Sequence, residues 1–182
     1  MRCVLEAEKI PGRALYVVRL LRAIAPPLQR VACRPRWIDR QVVLSAYVGS
    51  EPTDPDPDDW RFPTKIPGIR ACYYERWFPT DFRRTRLYLD RAYLHLFIHP
   101  EHNTEKQVLA LHCDPNEAET SKHFVYKAGP HIHMSTAEHP LDRTHIALNT
   151  SNLAAVLKSV QDLTSAFETA VKMVEEQVLG LY

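Results

Sequence analysis

The sequence predicts an α+β fold: an antiparallel sheet of about four to six strands, an N-terminal helix and one long C-terminal helix. Three observations predict it. Apolar residues recur at helical spacing near the start of the chain and again over its last thirty or so residues. The stretch between alternates with the period of two that a half-buried strand requires. A chain of 182 residues, 45% hydrophobic and 25% charged, matches one ordinary domain with its own core.

The elements follow in order. After Pro11 and Gly12, the residues Ala14, Val17, Val18, Leu21, Ile24 and Ala25 form an apolar stripe, with Arg13, Arg19 and Arg22 off it. That spacing predicts an amphipathic helix ended by Pro26-Pro27. Residues 41–48 read as a strand stopped at Gly49. Five prolines between Ser50 and Gly68 exclude regular structure there, and Trp60 and Phe62 predict that this acidic loop docks on the body. Over 87–98, Leu87 and Leu89 occupy odd positions, whereas Ala92, Leu94, Leu96 and Ile98 occupy even ones. Alternation cannot change face unaided, so a turn or bulge is required near Asp90-Arg91. Strands are further expected at 107–113, 123–127, 131–134 and 144–148.

From Leu153 the residues Leu157, Val160, Thr164, Phe167, Val171, Val174, Val178 and Leu181 recur at heptad spacing. This predicts a helix over 151–179. The stripe would serve either as a seam for a protein partner or self-association through 153–181, or as a face laid on the sheet, which Val156, Leu163 and Ala170 widen. The chain is thus read as one domain, 1–182. Its parts are a helical, arginine-rich segment 1–49, a proline-rich acidic loop 50–69, a histidine-bearing sheet 86–149 and the helix.

Composition narrows the function classes. Cys3, Cys33, Cys72 and Cys113 are far apart with no C-x-x-C pair, which argues for reduced thiols and against a thiolate zinc knuckle. No glycine-rich phosphate loop, G-x-S-x-G elbow or H-E-x-x-H motif occurs. The longest apolar runs fall short of a membrane span, and Glu6, Glu8 and Lys9 interrupt any signal-peptide core. A cytoplasmic location without membrane attachment is expected. Every arginine except Arg143 lies before residue 92, whereas the chain beyond residue 100 is acidic.

The distinctive feature is histidine. All nine lie between His95 and His145. Their phase sets His95, His112, His131, His133 and His145 opposite the apolar faces of their strands, so neighbouring strands would bring the rings together. His131 and His133 would supply two nitrogens to a divalent metal, zinc or manganese, with His145, His112, His123 or Glu138 as a further ligand. At such a metal site Asp142 or Glu138 would act as base or orient a ring. In a metal-free alternative, His133 and Ser135 form a polar pair for acid–base or nucleophilic catalysis on a phosphoester. The remaining reading is a half-polar face without chemistry.

Short resemblances exist but identify no family. His131-Ile-His133-(x)4-Glu138 resembles the first cupin motif without its flanking glycines. His131-Ile-His133-Met-Ser135 is similar to a histidine-triad run with serine in third place. His133-Met-Ser135 resembles half of the two-histidine phosphoesterase signature, and its second half is absent.

Three functions are therefore expected, in order. The first is an interaction or accessory subunit of a homo- or hetero-oligomeric intracellular complex. The second is a metal-dependent hydrolase, of phosphoesterase or nuclease type, centred on His131 and His133. The third is single-stranded nucleic-acid binding through 70–91, where Arg83, Arg84 and Arg86 would meet phosphates and Trp77 would stack on bases.

Overall fold

The structure, a computed structural model, describes residues 3–54, 56–98, 105–116, 127–134, 144–148 and 159–180. The α+β class is as expected, but the antiparallel sheet has nine strands among these residues. They are β1 (Val4–Glu6), β2 (Val31–Ile38), β3 (Gln41–Val48), β4 (Phe62–Pro63), β5 (Ile69–Pro79), β6 (Arg86–Ile98), β7 (Lys106–Cys113), β8 (His131–Met134) and β9 (Thr144–Ala147). The order is β2-β3-β5-β6-β7-β8-β9, with β1 added to β6 and β4 to β5.

Two of the unexpected strands were hidden for different reasons. β2 contains Pro35 between Arg34 and Arg36, a poor strand signal. It is an edge strand, where the missing N–H of proline costs no ladder bond, and it pairs with β3 along its whole length. β5 is buried on both faces, so its sequence shows no polar alternation. The sheet therefore runs through segments expected to be helical or loop, and is not confined to 86–149. The expected break in phase is present: Arg76 pairs with Arg91 and Trp77 with Leu89, so Asp90 is the extra residue of a bulge inside the continuous strand β6.

Two helices cover one face of the sheet. Helix α1 (Ile10–Leu21) buries Ile10, Ala14, Val17, Leu20 and Leu21. Helix α2 (Val160–Val174) buries Leu163, Phe167, Ala170, Val171 and Val174 and continues into a π-helical turn, Glu175–Leu179. These side chains share one core with Leu44, Tyr73, Trp77, Leu87, Leu89, Leu94, Leu96 and Leu111 from the strands. The heptad stripe is spent on this core wherever it is described. The helix expected over 151–179 starts later, at Val160. Ser159 is extended (φ −149°), and its side chain accepts from the Asp162 N–H as an N-cap. Residues 151–158 lie outside the described residues, as does the strand expected at 123–127 except for Lys127.

One ion pair is sealed inside this core. Glu75, fully buried on β5, accepts from Arg13 of α1 at 2.7 Å, from the Tyr73 hydroxyl at 2.5 Å and from Trp77 Nε1 at 2.8 Å. Arg13 also donates to Thr164 Oγ1 of α2 at 2.6 Å. A buried carboxylate survives only when such donors replace its water, so the network fixes how both helices sit on the sheet.

The proline-rich loop docks as expected. Trp60 is 1% exposed and packs edge-on against Tyr47, with ring centroids 5.6 Å apart. Its acids meet arginines of the basic segments. Glu51 pairs with Arg34 and Arg36, Asp58 with Arg76, and Asp59 with Arg61. Among the described residues, no helix is long and apolar enough to cross a membrane.

Candidate metal centre

The sheet face away from the helices collects the histidines, and strand register is the cause. Tyr93 of β6 pairs with His112 of β7, and His112 pairs with His131 of β8. His95 and His133 both pair with Ala110, from either side of β7. Side chains at paired positions share a face, so four imidazoles from three strands stand together. Asp114 joins them. It lies two residues beyond His112, just past the end of β7, and its N–H bonds to Lys127 O at 2.9 Å.

His112, Asp114, His131 and His133 each present a ligand atom, and these four atoms lie within 4.8 Å of one another. His131 is the most constrained. Its ring is fully buried, and Nδ1 lies 2.9 Å from the Gly129 carbonyl. A carbonyl only accepts, so Nδ1 carries the hydrogen and a neutral ring turns its Nε2 lone pair inward. That Nε2 stands 2.9 Å from His133 Nε2 and 3.6 Å from Asp114 Oδ2. A backbone carbonyl orienting the far nitrogen of an imidazole is the usual outer partner of a metal-binding histidine.

Tyr93 touches two members of the group. Its hydroxyl donates to Asp114 Oδ1 at 2.7 Å, and its ring lies parallel to that of His112 with centroids 3.6 Å apart. Burial and the Asp114 carboxylate push the phenol up, so it keeps its proton. His95 Nε2 meets His112 Nε2 at 2.7 Å, among the rings of Tyr74, Tyr93 and Phe97. Burial, with the Arg61 guanidinium adding to it, pushes His95 down to about 4, which keeps its ring uncharged at neutral pH.

The expected ligands divide clearly. His112, His131 and His133 are brought together. His145 pairs with His133 in the β8–β9 register. Ser135, Glu138 and Asp142, with His123, lie outside the described residues. Asp114 and Tyr93 were not anticipated. The signal for Asp114 was legible, because His112-Cys-Asp114 repeats the i, i+2 spacing of His131 and His133. Tyr93 becomes visible only once β6 and β7 are in register.

The residues proposed for nucleic acid separate. Trp77 lies on the helix-covered face, fully buried with its indole N–H on Glu75, and offers no ring to a base. Arg83, Arg84 and Arg86 are exposed around the β5–β6 turn, with Arg86 paired to Glu6. A cleft of about 460 Å³ beside α1, lined by Leu15, Val18, Arg22, Arg30 and Tyr47 among others, has no comparable set of ligands. Comparison of the chain with protein families, with curated proteins and with solved structures returns no match. The functional reading therefore stands on the centre itself.

Proposed function

We propose that this protein is a metal-dependent hydrolase, with a divalent transition metal held by His112, His131, His133 and Asp114. The observation that carries the reading is the convergence of possible ligand atoms from three histidines and one carboxylate. His131 Nε2, the Asp114 carboxylate and the facing nitrogen of His133 converge within a few ångströms. One tautomer of His133 can bridge the two rings with a hydrogen bond, and the same donor atoms with the Asp114 carboxylate beside them form the kind of set that a divalent metal takes. Three nitrogens and one oxygen suit zinc, manganese or iron better than calcium or magnesium, which prefer all-oxygen shells.

A metal so held would polarise a substrate oxygen and lower the pKa of a bound water. The chain's residues have separable tasks. His131, locked by Gly129, sets the direction of the site. Asp114 brings the negative charge that favours a dication over a proton. His133, half-buried, forms the side nearer solvent. Arg91, with its guanidinium 5.8 Å from the Tyr93 ring centre, is a cation on the same face that suits an anionic phosphoester.

Elemental analysis of purified protein tests the reading, with about one zinc, manganese or iron per chain expected. Hydrolysis of bis(p-nitrophenyl) phosphate, abolished by chelator and restored by that metal, tests the reaction. A folded, metal-free chain that takes up none of these ions overturns both. An accessory role through the 153–181 helix draws no support from α2, whose described apolar stripe already faces the sheet.

A further inference from the structure

We infer that Tyr93 is a positioning residue that restricts Asp114 to one-oxygen ligation and thereby keeps a coordination position open for water or a substrate anion. This inference rests on the metal centre proposed above. Asp114 has two oxygens with different surroundings. Oδ1 accepts from the Tyr93 hydroxyl at 2.7 Å, whereas Oδ2 is the oxygen recorded 3.6 Å from His131 Nε2. The hydrogen bond takes one of the two lone-pair directions of Oδ1 and fixes how the carboxylate is turned, which opposes the symmetric approach that a two-oxygen grip on a metal requires. The phenol occupies Oδ1, and its ring, stacked on His112, is fixed against following the carboxylate inward.

The spacing of the nitrogens points the same way. His131 Nε2 and His133 Nε2 are 2.9 Å apart. Two nitrogens each about 2.0–2.1 Å from one ion subtend about 90° at that separation, whereas a tetrahedral angle would part them by about 3.3 Å. An ion that took these nitrogens where they stand would hold them at the angle of five- or six-coordinate geometry. Three imidazoles and a one-oxygen Asp114 supply four ligands, so such an ion retains at least one position that the protein does not fill. A two-oxygen Asp114 would consume it. Without its phenol tether the centre would hold its ion and lose its reactive position.

Cobalt(II) substitution with azide as the probe anion tests this. Wild type should take about one cobalt per chain, and azide should change its visible spectrum saturably. Tyr93→Phe keeps the ring on His112 and removes only the hydroxyl. It should still bind one cobalt, but azide affinity should fall about 10-fold or more. Azide binding to Tyr93→Phe as tight as to wild type overturns the inference, as does a wild-type cobalt protein that takes no azide. The wild-type titration needs no variant, so a Tyr93→Phe chain that fails to fold leaves that refutation in place. A wild type that binds no cobalt overturns the metal centre itself, and so distinguishes failure of the underlying reading from failure of this one.

Discussion

His112 stands directly opposite His131 across β7 and β8, and that single register pair converts a loose clustering of histidines into a centre. A slip of one residue would send His131 and His133 to the helix-covered face. Ile132, which pairs with Leu111 and packs with the core, opposes such a slip.

Changing His131 and His133 together to alanine should remove metal while leaving the circular-dichroism spectrum and a cooperative melt in place. The helices and their core lie on the other side of the sheet. A double variant that retains its metal would move the centre elsewhere.

Acid should release the metal. An imidazole must be neutral to ligate, so protons compete with the metal for its nitrogen. As acid charges the ligand rings, apparent affinity should fall by about tenfold per pH unit for each proton taken up. Titration of the apo-protein with zinc at pH 5.5, 6.5 and 7.5 reads the slope.

Much of this arrangement was legible in sequence, and particular residues show how. The phase of His95, His112, His131 and His133 against Leu94, Leu111 and Ile132 gave their common side, because alternation reports faces directly. The switch between Leu89 and Ala92 gave the bulge at Asp90. What alternation cannot report is which strands are neighbours, so Tyr93 stayed hidden, whereas Asp114 was legible from its i, i+2 spacing to His112. β2 was masked by Pro35, and β5 by burial of both its faces. The start of the last helix was misplaced because the apolar stripe continues N-terminally past the Ser159 cap. Capping is a local choice between several Ser, Thr and Asn residues that spacing does not rank.

The helix α2 should behave as part of the monomer's core. Phe167→Ala should cost about 3–5 kcal/mol in urea denaturation. Its melting temperature, like that of wild type, should not depend on protein concentration. Concentration-dependent melting would return the stripe to the role of an association seam.

The sealed pair beneath the helices gives a further expectation. Arg13→Met leaves the Glu75 carboxylate buried with only the Tyr73 and Trp77 donors. Stability should fall by about 3–5 kcal/mol, the usual cost of stranding one partner of a buried pair. Ser159→Ala, which removes only the N-cap of α2, should cost about 1 kcal/mol. Denaturant midpoints measured side by side would show the ranking, and equal losses would contradict it.

Metal content of the purified wild type, set beside that of the His131/His133 double alanine variant, tests the central claim most directly. The account predicts close to one transition-metal ion per wild-type chain and none in an equally folded variant. Equal metal in the two proteins, or a native wild-type fold that neither carries nor takes up an ion, would contradict it.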